Sequence, residues 1–157
     1  MNSELAKDLT NGFFFIFLEV IFFQHLSIFG ASIDPILFYA IWLVQRYERT
    51  KLLLFLAILA FFQDAMFDFW GLSVFSKTLT FFILYNIIKK KAETQLQFWQ
   101  IFMIIGFTAF LNNIILFSYG SFFKLYAIDH SSLILIFGNS VYTALVGLLI
   151  YIFRVKN

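Results

Sequence analysis

The chain has 157 residues, of which 62% are hydrophobic and only 13% charged, and its mean hydropathy is +0.89. A soluble domain carries roughly 25% charged residues, so this one lacks the polar side chains to coat a water-facing surface. A net charge of +2 gives no reason to expect a nucleic-acid partner, and a chain without cysteine has no disulfide, thiolate metal site or thiol catalysis.

The first eight residues include Glu4, Lys7 and Asp8. They form no basic n-region and no small-residue cleavage site follows, so the first apolar stretch, 9–29, is expected to be a retained helix. The second stretch, 33–45, opens on Pro35, whose missing N–H costs little in a first helical turn. After the charged turn Arg46-Tyr47-Glu48-Arg49-Thr50-Lys51 comes the third, 52–63. The fourth is 72–88, the fifth 98–117 and the sixth 133–153. A full span needs about 20 residues. The first, fifth and sixth meet this, the fourth is near the lower limit, and the second and third are short. We read the short pair as two spans rather than a re-entrant pair. The expectation is an all-α integral membrane protein, residues 1–157 forming one membrane domain with six transmembrane helices, two of them short.

Basic residues are retained on the cytoplasmic side of short loops. With both termini cytoplasmic and six helices alternating, only Lys77 and Lys124 of the eleven basic residues fall outside. Five spans would put the Lys89 cluster or the C-terminal pair outside. Asp34, Asp64, Asp68 and Asp129 then lie at the outer side. Trp70, Tyr119 and Tyr126 mark the outer interface, and Tyr47, Tyr85, Trp99 and Tyr151 the inner one, the depth amphipathic rings prefer. The stretch 119–131 is too apolar for a free loop and reads as a short helix in the outer interface.

An ionisable residue inside a span is a functional candidate by default. Glu19 lies about 15 Å along a helix that starts at Leu9, near mid-membrane. It is either a coupling-ion or proton site, or a buried carboxyl bonded to a neighbouring helix. The second reading is preferred because no basic or further acidic residue is expected at that depth. Gln24 sits about 140° from Glu19 around the helix, off its face. His25 and His130 do not make a metal site. Asn112 and Asn139 come to similar depths on the fifth and sixth helices, with Thr143 one turn beyond, and an amide hydrogen bond between the two asparagines is expected. Asp64 and Asp68 flank an outer turn, and Lys77 is expected to snorkel outward to them. The sequence has no phosphate-binding glycine loop, no HExxH pair and no intramembrane Ser/His set. The chain is therefore read as non-enzymatic, without cofactor or metal.

The Pro35 helix, the basic turn, Leu-Ala-Phe-Phe-Gln-Asp at 59–64 and the pair Gly71-Leu72 together resemble the rod shape-determining protein MreD family. In that family the third helix tends to end in Gly-Leu-x-x-Asp, followed by a Gly-Leu pair. Asp64 matches the aspartate, Gly71 and Leu72 match the pair, and Ala60 stands where the glycine usually is. The resemblance implies a bacterial inner-membrane protein that works with MreC in the cell-wall elongation machinery. It also implies a fold similar to the substrate-binding subunit of energy-coupling-factor transporters, and it brings no active site. The candidate structural or partner-contact residues are Glu19, Pro35, Asp64, Gly71, Asn112 and Asn139. The expected partners are membrane proteins of the elongation complex and the lipid bilayer, with self-association left open.

The rival reading is a small-molecule-binding subunit of an energy-coupling-factor type uptake transporter, with Glu19, Asn112 and Asn139 converging on one cavity. Against it, Phe13 to Phe23 offers no pair of small residues four apart for close helix docking. A bundle centre filled with side chains favours the scaffold; a hollow lined by these polar residues favours transport.

Overall fold

A computed structural model of the chain describes residues 3–23, 25, 30–68, 71–92, 97–123 and 130–156. The described residues are all helical apart from turns and a short extended stretch. Helix α1 (Ser3–Leu18) continues into a π-helical turn (Glu19–Phe23). Then come α2 (Pro35–Leu43), α3 (Arg49–Phe67), α4 (Leu72–Ala92), α5 (Phe98–Phe122) and α6 (His130–Lys156). Among the described residues four helices are long and apolar enough to cross a membrane: α3, α4, α5 and the Ser132–Phe153 part of α6. Their outward surface is apolar, with Leu54, Phe61, Trp99 and Ile134 all more than half exposed. Such a surface suits hydrocarbon, because each helix satisfies its own backbone polar groups.

The helices run beyond their apolar stretches. The third was expected to be short but is a 19-residue helix. Its first turn contains Lys51, and Gln63 and Asp64 stay helical, because their polar groups find partners described below. The second is short, as expected. Asp34 caps it, accepting from the Leu37 amide, and Pro35 occupies the first turn. Residues 32–34 are not helical.

Helix α2 is apolar on every side, and its position explains why. Ile36, Leu37, Ala40 and Leu43 are all but inaccessible, packed with Leu52, Leu56 and Leu59 of α3 and Phe81 of α4. A helix hydrophobic all round is a core helix. Around it α3 packs on α4, α4 on α5 and α5 on α6, while α1 touches α2 and α3. Gly12 makes the α1–α3 approach close; a Cβ there would meet the Leu59 side chain at 2.6 Å.

Two ends of the bundle can be told apart. At one end, the start of α1, the α2–α3 turn and the end of α4 meet, and Arg46, Lys51 and Lys89 to Lys91 gather there. We call this the basic end. At the other, the π turn, the start of α2 and the α3–α4 turn meet. Trp70, Lys124, Tyr126 and Asp129, assigned above to an outer face, lie outside the described residues, as does Gln24. Of the stretch read as an interfacial helix, Tyr119 to Phe122 is the end of α5 and 124–129 is outside the described residues.

Candidate functional site

The far end holds a cluster of buried polar groups. Glu19 opens the π-helical turn, an irregularity that occurs mostly in single turns, often at functional sites. Gln63, in the last turns of α3, donates its side-chain N–H to Glu19 Oε1 at 2.8 Å. Both side chains are buried, and Glu19 Oε2 and Gln63 Oε1 have no partner. The pair thus holds one hydrogen bond and two unmatched acceptors. A proton on Oε2 supplies the missing donor: an acid faces an amide with one donor and one acceptor on each side.

Beside it, Asp34 joins three elements. Its carboxylate caps α2 and forms an ion pair with Lys77 of α4, a side chain only 1% exposed. Its amide donates to Thr143 Oγ1 of α6 at 3.2 Å, and the Ser32 amide donates to Asn139 Oδ1 at 2.9 Å. These two α6 side chains bond backbone donors that the non-helical segment leaves without helical partners. Unpaired backbone groups are costly at membrane depth, so such a segment needs partners. Glu19 is within electrostatic reach of both Asp34 and Lys77. The cluster therefore contains two carboxyl groups and one ammonium. Contact gives the ammonium to Asp34, and Glu19 is left to the Gln63 amide.

The α3–α4 turn adds a separate device. Asp64 is 5% exposed, and its two oxygens accept the amides of Ser73 and Val74, each at 3.1 Å. It caps the start of α4 from the preceding helix, where negative charge also meets the helix dipole. Asp68 ends α3 in the left-handed region at φ 59°, with its amide on the Asp64 carbonyl. Gly71 then takes φ 86°, which a glycine adopts without the steric cost borne by other residues. Ala60 is fully buried.

Several expectations are corrected. Lys77 does not snorkel to Asp64 and Asp68; it turns into the bundle to Asp34, because Asp64 is already satisfied by backbone amides. Asp64 is buried, whereas Asp68 is exposed at the helix end. Glu19 does not lack charged neighbours, because the break before α2 brings Asp34 inward. Asn112 and Asn139 do not bond each other. Asn139 serves the Ser32 amide, and the α5–α6 side-chain bond is Asn113 Nδ2 to Ser140 Oγ at 3.2 Å. Asn112 is buried with its Oδ1 unpaired.

The basic end is organised by Asp8, which is 3% exposed. Arg46 donates to both carboxylate oxygens at 3.1 and 3.3 Å, Tyr47 donates at 2.8 Å, and Tyr39 donates to the Asp8 carbonyl at 2.7 Å. Burial pushes the Tyr47 hydroxyl up to about 12, aided by the hydrogen bond to Asp8 and the charge of its carboxylate. Tyr85 of α4 donates to the Tyr47 carbonyl, which ties α4 to the turn.

Between α1, α2, α5 and α6 on this side lies a cavity of about 420 Å³. Its walls include Phe14, Phe15, Phe38, Trp42, Ile104 and Ile105, and none of Glu19, Asn112 or Asn139 reaches it. Among the described residues no three of His, Cys, Asp and Glu gather to hold a metal. No protein-family model, curated protein or solved structure matches this chain.

Sequence reading did not identify Asp8, Asp34, Gln63 and Lys77 as partners in these networks. The pair Asp34-Pro35 did carry a signal, an N-cap followed by proline at the first helical position. Nothing in the sequence tied Lys77 to it, 43 positions away.

Proposed function

We propose that the protein is a multi-pass membrane scaffold of the bacterial cell-wall elongation machinery, which maintains cell shape together with MreC. The supporting observation is the Asp64–Gly71 turn. Each residue that resembles the MreD family there has its own structural role. Asp64 caps α4, Gly71 supplies the positive φ and Leu72 is buried at the start of α4, while Ala60, which departs from the family's glycine, is fully buried. The filled centre points the same way, since Leu37, Leu43, Leu56, Leu59 and Phe81 occupy it.

In this reading the chain crosses the inner membrane six times with both termini cytoplasmic, in a fold similar to the substrate-binding subunit of energy-coupling-factor transporters. Helix α1 and its π turn make the first crossing. The second combines the non-helical residues before Pro35 with α2, whose nine residues rise about 14 Å, half the hydrocarbon core. The basic end faces the cytoplasm, in keeping with the retention of lysine and arginine there. The uptake-subunit alternative calls for a polar hollow lined by Glu19 and the asparagines, whereas the cavity is apolar and at the opposite end.

The test is capture of the tagged protein from detergent-solubilised membranes of the bacterium that encodes it. A single-span coiled-coil protein of the MreC type is expected to co-purify in defined stoichiometry. Recovery of an ATPase coupling complex in its place would favour the transporter.

A further inference from the structure

The polar cluster at the far end is one positive charge short. Glu19 and Asp34 bring two carboxyl groups, and Lys77 brings one ammonium, which pairs with Asp34. Asp34 also accepts from the Leu37 amide, and its side chain is 20% exposed, so it has donors and some access to solvent. Glu19 is worse served. Its Oε1 takes one amide hydrogen from Gln63, its Oε2 takes none, and the Gln63 Oε1 takes none either. Two acceptors left over on directly bonded, buried side chains call for one more donor. A proton on the carboxyl group supplies it with a single O–H. A metal ion needs more, since hard cations gather about six or more oxygens, and among the described residues no three acidic or histidine side chains meet.

The charges that face Glu19 come from two elements, Asp34 from the segment before α2 and Lys77 from α4. Helix α3 presents the neutral Gln63, while the next residue, Asp64, is turned to the Ser73 and Val74 amides. On its own side of the chain, His25 beyond the π turn is exposed, and Asp8 is paired with Arg46 at the basic end. An ionised Glu19 would therefore set two carboxylates against one ammonium, and a buried charge without a partner is costly. The pair also sits where α1 is held. Along α3 the seam is apolar, with Gly12 against Leu59 and Phe13 edge-on to Phe62, and the Glu19–Gln63 bond closes it at the far end. Glu19 opens the π turn as well, so a change in its bonding acts on that irregular winding.

We propose that Glu19 and Gln63 form a proton-binding site that latches α1 and its π turn onto α3. With the proton on Glu19 Oε2 the seam is closed. When that O–H bond breaks, the proton leaves to water, the carboxylate stays behind in the bundle, and the seam opens. The site is independent of any role in cell-wall elongation, and it is tested on the purified protein.

The experiment compares the native chain with Glu19→Gln in detergent across pH. Their infrared difference spectrum should show the carbonyl stretch of a protonated carboxyl group at neutral pH, lost on alkaline titration and unmoved when sodium replaces potassium. The chain has no cysteine. Ile16→Cys, at a buried position one turn before Glu19, therefore reports the seam through alkylation by N-ethylmaleimide. The readout is the ratio of its rates with Glu19 and with Glu19→Gln at the same pH, in which ionisation of the thiol and of His25 cancels. The closed form binds one more proton than the open form, so the ratio should rise with pH, by up to about tenfold per pH unit. If Ile16→Cys does not fold, thermal midpoints carry the same comparison, that of the native chain falling relative to Glu19→Gln as pH rises. No carboxyl band at neutral pH, loss of the band on adding sodium, or a ratio that does not change with pH would overturn the proposal.

Discussion

The two ends of the bundle each bury a carboxylate from the first helix, and they treat it in opposite ways. Asp8 receives two donors on its side chain from Arg46 and Tyr47, and its neighbours are exposed enough to be wetted. Glu19 receives one donor, from a buried amide whose own oxygen lacks a partner, and shares its surroundings with the Asp34–Lys77 pair. Buried polar networks lock a structure when complete and are costly when incomplete. The basic end therefore reads as a finished joint between α1, α2 and α4. The far end reads as one that depends on where its protons and charges sit.

Lys77 should separate the two ends most sharply. Lys77→Ala removes a buried ammonium and leaves the part-buried Asp34 carboxylate, 20% exposed, without its ion partner; breaking a buried pair from one side costs up to about 3–5 kcal/mol. Thermal unfolding in detergent should show a large loss, most of it recovered in the double variant Asp34→Asn with Lys77→Met. At the basic end, Arg46→Gln should cost less, because the Tyr47 hydroxyl still donates to the Asp8 carboxylate and the lost guanidinium was half exposed. Equal losses would erase the distinction.

Next in size is Asp64→Ala, which strips two amides at the start of α4 of their acceptor and should cost about 2 kcal/mol. Asp64→Asn should recover about half, since an amide oxygen accepts one of the two bonds. Glu19→Gln is expected to change stability by less than about 1 kcal/mol, because its amide supplies the donor that the Gln63 oxygen lacks. Glu19→Ala should do clearly worse than Glu19→Gln; the reverse order would mean that the ionised carboxylate is what the site requires.

The smallest effect is at Tyr47. Its hydroxyl is raised in the folded chain to about 12 from an ordinary value near 10. The sign follows from linkage: the contribution is fully present below pH ~10 and is lost as pH rises through ~12. Tyrosinate absorbance should detect a late-titrating component that Tyr47→Phe removes.

Much of the fold was legible in the sequence because lipid-facing helices announce themselves by hydropathy. The fourth, fifth and sixth stretches were located within a few residues, and Pro35 and Gly71 disclosed their turns through backbone restrictions that hold in any context. Helix ends were less legible. Polar residues such as Gln63 and Asp64 look like boundaries until their tertiary partners are known. The partners were least legible of all. Lys77 was assigned to the nearest carboxylates in sequence, Asp64 and Asp68, whereas the break before α2 carries Asp34 to it. Asn139 was matched with Asn112 by depth, while the unpaired backbone at Ser32 was the stronger claim on it. Such pairings depend on which helices are neighbours, and periodicity does not encode that.

The scaffold role itself is tested most directly by controlled depletion of the protein in growing cells, with cell-wall synthesis followed by incorporation of a fluorescent D-amino acid. Rod-shaped cells should round up and their sidewall labelling should disperse, with recovery on re-expression of the native chain. Unchanged shape and labelling after depletion would contradict the role in cell-wall elongation.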